Sequence, residues 1–508
     1  MITPRFKCSQ TENAVITRIY CPAVRASDIE LHVEGTLFSV HINPYYLRLV
    51  LPGSVIEDDD SSAVYDADQG YLTVTLTKST PGEDFKDLDV LARLLAPPKL
   101  DTSNTPTQPL IEVMDSQDDN DDAVSLEELS QDQRDLLEAS ENDWHIQQQA
   151  PESSSVSVST ERRYGFLDAY TGYFSHVTHT ANEINELGED IEKLSLSERR
   201  EKRLKREEEK WDEDYYIADY HDDENIQELI LYQFPPDSPF SVELSDHFAF
   251  SEDENMAMLL LPRKEYLATP QQIYNLYLTL LTILFSSAYD SRTTQNDPTP
   301  ESAWTICSLT PAFTALDPPP YSTPAPNSQS FTTPEIQSAF TPSLRRSLAY
   351  PLYRSFALAE RCIQDVAVAL SNGRRAILRE LLKIRDVLDH HEVYYIYSRI
   401  WIDDFCRWVA TDASESILHE LGDLLKQTQF AKDNIGWDLL ALEALGIDSE
   451  REPDSDDESE DGGPIPEDSD SDSCSSSSSS SSSSSISSPS SSSSSGSSGE
   501  APNINTIQ

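Results

Sequence analysis

The stretch INPYYLRLVLPG, Ile42–Gly53, alternates with period two. Tyr45, Leu47, Leu49 and Leu51 fall on one side, Tyr46 and Arg48 on the other. Successive side chains leave a strand on opposite faces, so this is a strand with one buried and one solvent-facing side. The pattern recurs around it. Ile29, Leu31 and Val33 oppose Asp28, Glu30 and His32; Phe38, Val40 and Ile42 repeat it; Leu72, Val74 and Leu76 oppose Thr73 and Thr75. EGT at Glu34–Thr36 and DQG at Asp68–Gly70 supply hairpin turns. About seven short strands within residues 1–92 predict an antiparallel β-sandwich. Tyr46 and Arg48 on its outer wall are candidate partner contacts. So is Phe6, on a first strand that opens at Pro4 and so suits a sheet edge, although core packing is the preferred reading there.

The chain has 508 residues, of which 38% are hydrophobic, with 90 Asp plus Glu against 37 Lys plus Arg and a formal net charge of −53. Phosphate-led nucleic-acid binding runs on cations that displace counterions. Stable direct nucleic-acid binding is therefore not expected, and a basic protein partner fits the field. Part of the acid is plain solvation of disordered segments. Cysteines stand at 8, 21, 307, 362, 406 and 474 without a CxxC pair, which indicates neither a zinc ribbon nor a disulfide framework. MITPRF lacks a signal sequence. IYNLYLTLLTILF, Ile273–Phe285, is shorter than the roughly 20 apolar residues of a membrane span and is read as a buried helix. A soluble intracellular protein with no membrane partner is expected.

Residues 93–160 are rich in Pro, Asp, Gln and Ser and read as an acidic flexible linker, with SLEELSQDQRDLLEAS as a marginal capped helix. RRYGFLDAYTGYF opens a second, mainly α-helical domain, residues 161–447. Within it LSLSERREKRLKREEEKWDEDYY reads as a solvated, salt-laced helix in preference to a nuclear-import signal. Residues 291–343, full of Pro, Ser and Thr, read as a disordered loop. PPPY, Pro318–Tyr321, fits a WW-domain ligand, but chance occurrence is preferred. SFALAERCIQDVAVALSNG and RRAILRELLKIRDVL, parted by Asn372-Gly373, predict an αα-hairpin. From residue 448 the tail is acidic and then almost pure serine, and is expected to be disordered. Ser455, Ser459, Ser469 and Ser471 sit among carboxylates and suit an acid-directed kinase.

A search for chemistry finds no phosphate loop, no GxSxG elbow and no HExxH helix. His390 and His391 are adjacent and point about 100° apart on a helix, so they cannot converge on a metal; Asp386 and His390 can meet. No catalytic residue, metal or cofactor is expected. In EVYYIYSRIWIDDFCRWV, read as one helix from Glu392, Asp404 falls in the middle of the apolar arc with Arg407 one turn on. A buried carboxylate calls for a partner, and a structural Asp404–Arg407 ion pair is preferred over a perturbed catalytic acid. Tyr395 and Arg399 form an aromatic-plus-Arg patch on the polar arc, of the kind found at interface hot spots.

MITPRF, NPYYLRL, YGF at Tyr164, ESAWT at Glu301, RRSLAYPLYRSF at Arg345 and HEVYYIYSRIWIDDF at His391 together resemble the SHQ-type assembly factors of H/ACA ribonucleoproteins. The resemblance covers residues 1–92 and 161–447 and leaves the linker, the proline-rich loop and the tail uncovered. It implies a seven-stranded CS domain, an SHQ-specific helical domain, and a non-enzymatic chaperone in the nucleoplasm with a cytoplasmic pool. The implied partner is the dyskerin-type pseudouridine synthase, whose RNA-binding surface the factor covers before guide RNA loads. The alternative is a co-chaperone whose CS-like domain recruits a general heat-shock ATPase to clients.

Overall fold

The computed structural model describes residues 2–97, 162–174, 184–188, 190–242, 249–321, 330–350 and 352–448. The marginal linker helix and the four candidate phosphoserines lie outside the described residues. Eight strands build the sandwich: β1 (Arg5–Gln10), β2 (Ala14–Tyr20), β3 (Glu30–Glu34), β4 (Leu37–Ile42), β5 (Tyr45–Val50), β6 (Val55–Ile56), β7 (Ser62–Asp66) and β8 (Tyr71–Lys78). One sheet runs β1-β2-β8 and then β6 and β7; the other is β3-β4-β5. β6 and β7 pair with successive lengths of β8, Val55 opposite Lys78 and Ser62 opposite Thr75. Eight strands therefore fill seven positions, in line with the period-two reading. The buried members of each alternation, among them Phe38, Val40, Leu47, Leu49, Leu72 and Val74, form the core. Gly35 and Gly70 turn with positive φ, as hairpin turns of this kind require.

The helical body surrounds α6 (Pro270–Thr293), with α1 (Leu91–Leu94), α2 (Leu196–Lys210), α3 (Glu213–His221), α4 (Glu224–Leu231) and α5 (Glu252–Leu260) before it. After it come α7 (Ser302–Leu309), α8 (Pro311–Thr314), α9 (Thr333–Ala349), α10 (Phe356–Ser371), α11 (Arg374–Asp389), α12 (Asp403–Thr411), α13 (Glu415–Gln427) and α14 (Leu439–Asp448). α6 opens with a capping box between Thr269 and Gln272 and carries Pro270 in its first turn, where a missing N–H costs nothing. Every residue from Leu276 to Arg292 is buried. Three of its hydroxyls are satisfied on the helix itself: Thr279 donates to the Asn275 carbonyl at 2.9 Å, Thr282 to Thr279 at 2.8 Å and Ser286 to Ile283 at 2.8 Å. No helix among the described residues is long and apolar enough to cross a membrane.

Three expectations need correction. The described residues of 291–343, which are 291–321 and 330–343, are not a disordered loop: α6 runs into them, and α7, α8 and α9 follow with Ile306, Cys307, Phe313, Ile336 and Phe340 buried. Pro311 and Pro334 stand in the first turns of α8 and α9, where proline is tolerated, so composition misled while position did not. α2 is a capped helix whose outer side is solvated and salt-laced, with Lys202 and Lys205 exposed and Lys205 3.8 Å from Glu209, but its inner side is not. Arg199, Arg203 and Glu207 are buried, with Arg203 bonded to Asp317 at 2.8 Å and to Glu207 at 2.6 Å. Tyr321 of PPPY lies beneath Arg200 and Arg203, its ring 4.8 and 5.2 Å from their guanidinium carbons, and its hydroxyl donates to the Asp317 carbonyl. Neither motif is displayed free.

The third correction concerns HEVYYIYSRIWIDDF. In place of one uniform helix there is a single turn at Tyr395–Tyr397, a π-helical stretch Ser398–Ile402, and then α12. The looser π turn takes up an extra residue and breaks the 100° progression. From Ile400 to Ala410 every residue is buried.

The sandwich is joined to the body through α1. The Arg407 guanidinium on α12 donates to the Ala92 carbonyl at the end of α1, where a helix leaves its carbonyls unpaired. Arg375 on α11 grips Asp89 with two bonds of 2.5 Å, and Arg263 reaches Thr3 at 2.7 Å.

Candidate partner-binding surface

Between Trp211 and Leu229 the chain carries eight carboxylates and no Lys or Arg. Asp212 caps α3 by accepting from the Tyr215 N–H at 3.0 Å. The inner side is tied down: Trp211 stacks on Trp437 at 4.1 Å, and the buried Tyr216 donates to Glu443 at 2.7 Å. Glu443 is held in turn by Lys432 at 2.6 Å. Ile226 and Leu229 bury one face of α4, and Arg292 donates to the carbonyls of Leu229, Ile230 and Tyr232 at 2.7, 3.1 and 3.1 Å. With that side anchored, Glu213, Asp214, Asp222, Glu224 and Glu228 are left in solvent. Tyr215, 59% exposed, and Leu231, 70% exposed, stand among them. Asp219 meets a cation, Arg354, at 3.4 Å. An acidic, aromatic-studded face suits a basic partner.

Internal pairing sharpens that excess. Among the described residues eight cations are buried, Lys78, Arg199, Arg203, Arg292, Arg345, Arg346, Arg385 and Arg407, against nine carboxylates, so burial takes the larger share from the scarcer charge. Arg345 and Arg346 of RRSL show where they go. Arg345 meets Glu207 at 2.9 Å; Arg346 meets Glu186 at 2.5 Å and Glu207 at 3.3 Å.

The residues singled out from sequence scatter. Tyr46 and Arg48 do face outward on β5, opposite His41 and Ser39. Phe6 does not: it is 7% exposed and belongs to the core, as a strand alternation that buries Phe6 and Cys8 requires. Tyr395 is 44% exposed, but Arg399 beside it is already engaged, at 2.9 Å to Asp403 and 3.6 Å to Asp389. Arg385 closes the same cluster on Asp403 at 2.6 Å. Asp386 and His390 meet at 3.4 Å, and the Asp386 carbonyl and carboxylate raise the His390 pKa. The α3–α4 face was missed, although its run of carboxylates without a cation was there to be counted.

Asp404 is not paired with Arg407. It is 1% exposed and accepts from the hydroxyl of Tyr170, from that of Tyr266 at 2.7 Å and from Lys264 at 3.1 Å. Burial, then the adjacent carboxylate, pushes both phenols far up, so they remain donors. Arg407 looks the other way, to Ala92, and burial lowers its pKa. Every oxygen of Asp404 is satisfied, which makes this a tie between three chain segments. Burial pushes the Cys8 thiol up to about 12 and the other described thiols upward, away from the reactive thiolate. Among the described residues no three His, Cys, Asp or Glu side chains group to hold a metal ion.

Residues 3–95 match the family model of the SHQ1-like CS domain, and residues 241–439 that of the Shq1 domain of SHQ1 proteins. Protein shq1 of Schizosaccharomyces pombe is 35% identical over 457 residues, 87% of this chain and 96% of its own. The chain belongs to the SHQ1 family. The SHQ1 homologs of Xenopus tropicalis and Mus musculus are 31% and 30% identical over 87% and 88% of this chain, and 69% and 75% of theirs. The sandwich is thus a CS domain. The Shq1 match begins after α2, α3 and α4, so the acidic face lies on a part of the helical body outside either matched domain.

Proposed function

We propose that this SHQ1-family chain is a non-catalytic assembly chaperone for H/ACA small nucleolar ribonucleoproteins. It holds the dyskerin-type pseudouridine synthase and covers its RNA-binding surface before guide RNA loads, and so supports rRNA pseudouridylation and ribosome biogenesis. It works in the nucleoplasm and keeps a cytoplasmic pool. The observation that carries this reading is membership of the SHQ1 family through both domains. The physical support is charge: a surface built to take phosphates is cationic, and the α3–α4 face offers it carboxylates with tyrosines between them. The same field repels RNA from the chaperone itself.

The test is a titration of H/ACA guide RNA into the purified complex of full-length chain and synthase. RNA should release the chaperone. A stable ternary complex in which neither ligand weakens the other refutes the covering role. Neutralising the face with Asp214→Asn, Glu224→Gln and Glu228→Gln should weaken synthase binding roughly tenfold at low salt and flatten its salt dependence. The tail serines Ser455, Ser459, Ser469 and Ser471 are proposed phosphate carriers that deepen the field, and an unmodified intact mass for protein from its own cells excludes this.

A further inference from the structure

The outer face of the β1-β2-β8 sheet has the opposite sign to the rest of the chain. Register places Lys7 directly across from Arg18, Arg5 across from Tyr20, and Tyr20 across from Tyr71. Arg5, Lys7, Arg18 and Tyr20 are all exposed. Like charges set opposite each other on neighbouring strands repel and weaken the pair. With 90 Asp plus Glu against 37 Lys plus Arg, a carboxylate beside them would be the ordinary solution. Among the described residues no carboxylate pairs with Arg5, Lys7 or Arg18. Arg18 instead lies over Tyr71, 4.1 Å from the ring centre, and donates to Gln69 at 3.1 Å. Lys7 and Arg18 thus face each other with no carboxylate partner between them.

The face is also one wall of a trough. α5 stands opposite, and a cavity of about 450 Å³ separates them, with Met256 and Leu259 facing the cations. A second cavity of about 410 Å³ continues it past Ile2 and Leu260, sharing Arg5, Tyr20, Met256 and Leu259. Ile2 and Leu260 are 56% and 71% exposed. One wall is cationic and aromatic; the other sets Met256 and Leu259 beside Asn255 and Glu252, and Asp89, held by Arg375, also lines the trough.

We propose that this trough docks an acidic peptide segment bearing an apolar or aromatic side chain, presented by a protein partner other than the basic one proposed above. Its carboxylates pair with Arg5, Lys7 and Arg18, and its apolar side chain enters against Met256 and Leu259. The first turn of α5 carries Glu252, Asp253 and Glu254, with Glu252 lining the trough. A nucleic acid carries a phosphate at every step and must set some of them against Glu252, whereas a peptide can place its carboxylates on the Arg5, Lys7 and Arg18 wall and an uncharged side chain on the α5 wall. An occupant relieves the Lys7–Arg18 repulsion, so binding stabilises the sandwich.

The test uses the full-length chain and a short dye-labelled peptide of Asp and Glu with one Trp and two Leu. Its controls are an analogue with Asn and Gln for the acids, and an oligothymidylate. The acidic peptide should bind, and the amide analogue should bind roughly tenfold more weakly or worse. Lys7→Glu should cost a similar factor while leaving the melting temperature unchanged or higher, because it places a carboxylate opposite Arg18. Met256→Ser should weaken binding with charge untouched. Equal binding of acidic and amide peptides, unaltered affinity in Lys7→Glu, or displacement of the peptide by oligothymidylate overturns the proposal. No synthase enters the measurement, so either outcome leaves the reading of the α3–α4 face standing or falling separately.

Discussion

Asp404→Asn offers the sharpest check on how the helical body is tied together. The carboxylate is almost fully buried and takes two phenol hydroxyls and one ammonium. A hydrogen bond to a charged group contributes about 1.5–3 kcal/mol. The Lys264 contribution must be discounted, since that side chain is 48% exposed. Asn retains one acceptor oxygen but turns an amide donor toward groups that are themselves donors. The expected loss is about 2–4 kcal/mol, a melting shift of about 3–7 °C for a body of this size. Double-mutant cycles by urea unfolding locate the partner. Asp404→Asn with Tyr266→Phe should couple by about 1 kcal/mol or more, whereas Asp404→Asn with Arg407→Met should be additive within about 0.5 kcal/mol. Synthase binding per folded molecule should not change. Strong coupling to Arg407 and none to Tyr266 refutes the network.

Further outcomes can be read from other parts of the body. Burial raises the Asp290 carboxyl to about 6, against the lowering effect of its Ser302 bond and of Lys383. A carboxyl whose pKa is higher folded than unfolded binds its proton preferentially in the native state. Its contribution is therefore present below about pH 4 and fades as pH rises to about 6. Asp290→Asn should raise stability at pH 7 by about 2 kcal/mol, with the gain vanishing near pH 4, by denaturant titration at each pH. Gly373 has φ +83°, and a Cβ there runs into the Glu415 carboxylate. Gly373→Ala should cost about 2 kcal/mol in the same assay, and Glu415→Ala should restore only part of it. A chain beginning at Arg93 loses the Ala92 carbonyl that Arg407 holds and should melt well below the intact protein, whereas one beginning at Lys86 keeps α1 and should not. If the helical body binds the synthase, the Lys86 chain retains that affinity; a folded Lys86 chain that binds no client favours a co-chaperone acting through the CS domain.

What sequence could show followed the reach of each interaction. Strand alternation and hairpin glycines are local, so the sandwich was legible, as were the α10–α11 hairpin and the helix through Ile273–Phe285, buried from Leu276 on. Partners more than a hundred residues apart were not. Nothing within α2 says that Arg203 turns inward to Asp317, or that Arg346 meets Glu186. The same limit hid the true partners of Asp404, because Tyr170 and Tyr266 lie 234 and 138 residues away. Composition failed where position mattered: prolines at helix starts look like prolines in a loop until the buried residues after them are seen to pack. Phe6 looked ambiguous because edge strands and core strands share one alternation.

The π-helical stretch Ser398–Ile402 has a bearing on how chains of this kind tolerate insertion and deletion. A π turn is one residue wider than the α turn it replaces, so the surplus is contained locally. Deleting one residue from Ser398–Ile402 should tighten the stretch to ordinary α-helix and leave Tyr397 and Asp404 aimed as before. One residue lost from the middle of α6 has no such slack, and turns the rest of that buried helix by about 100°.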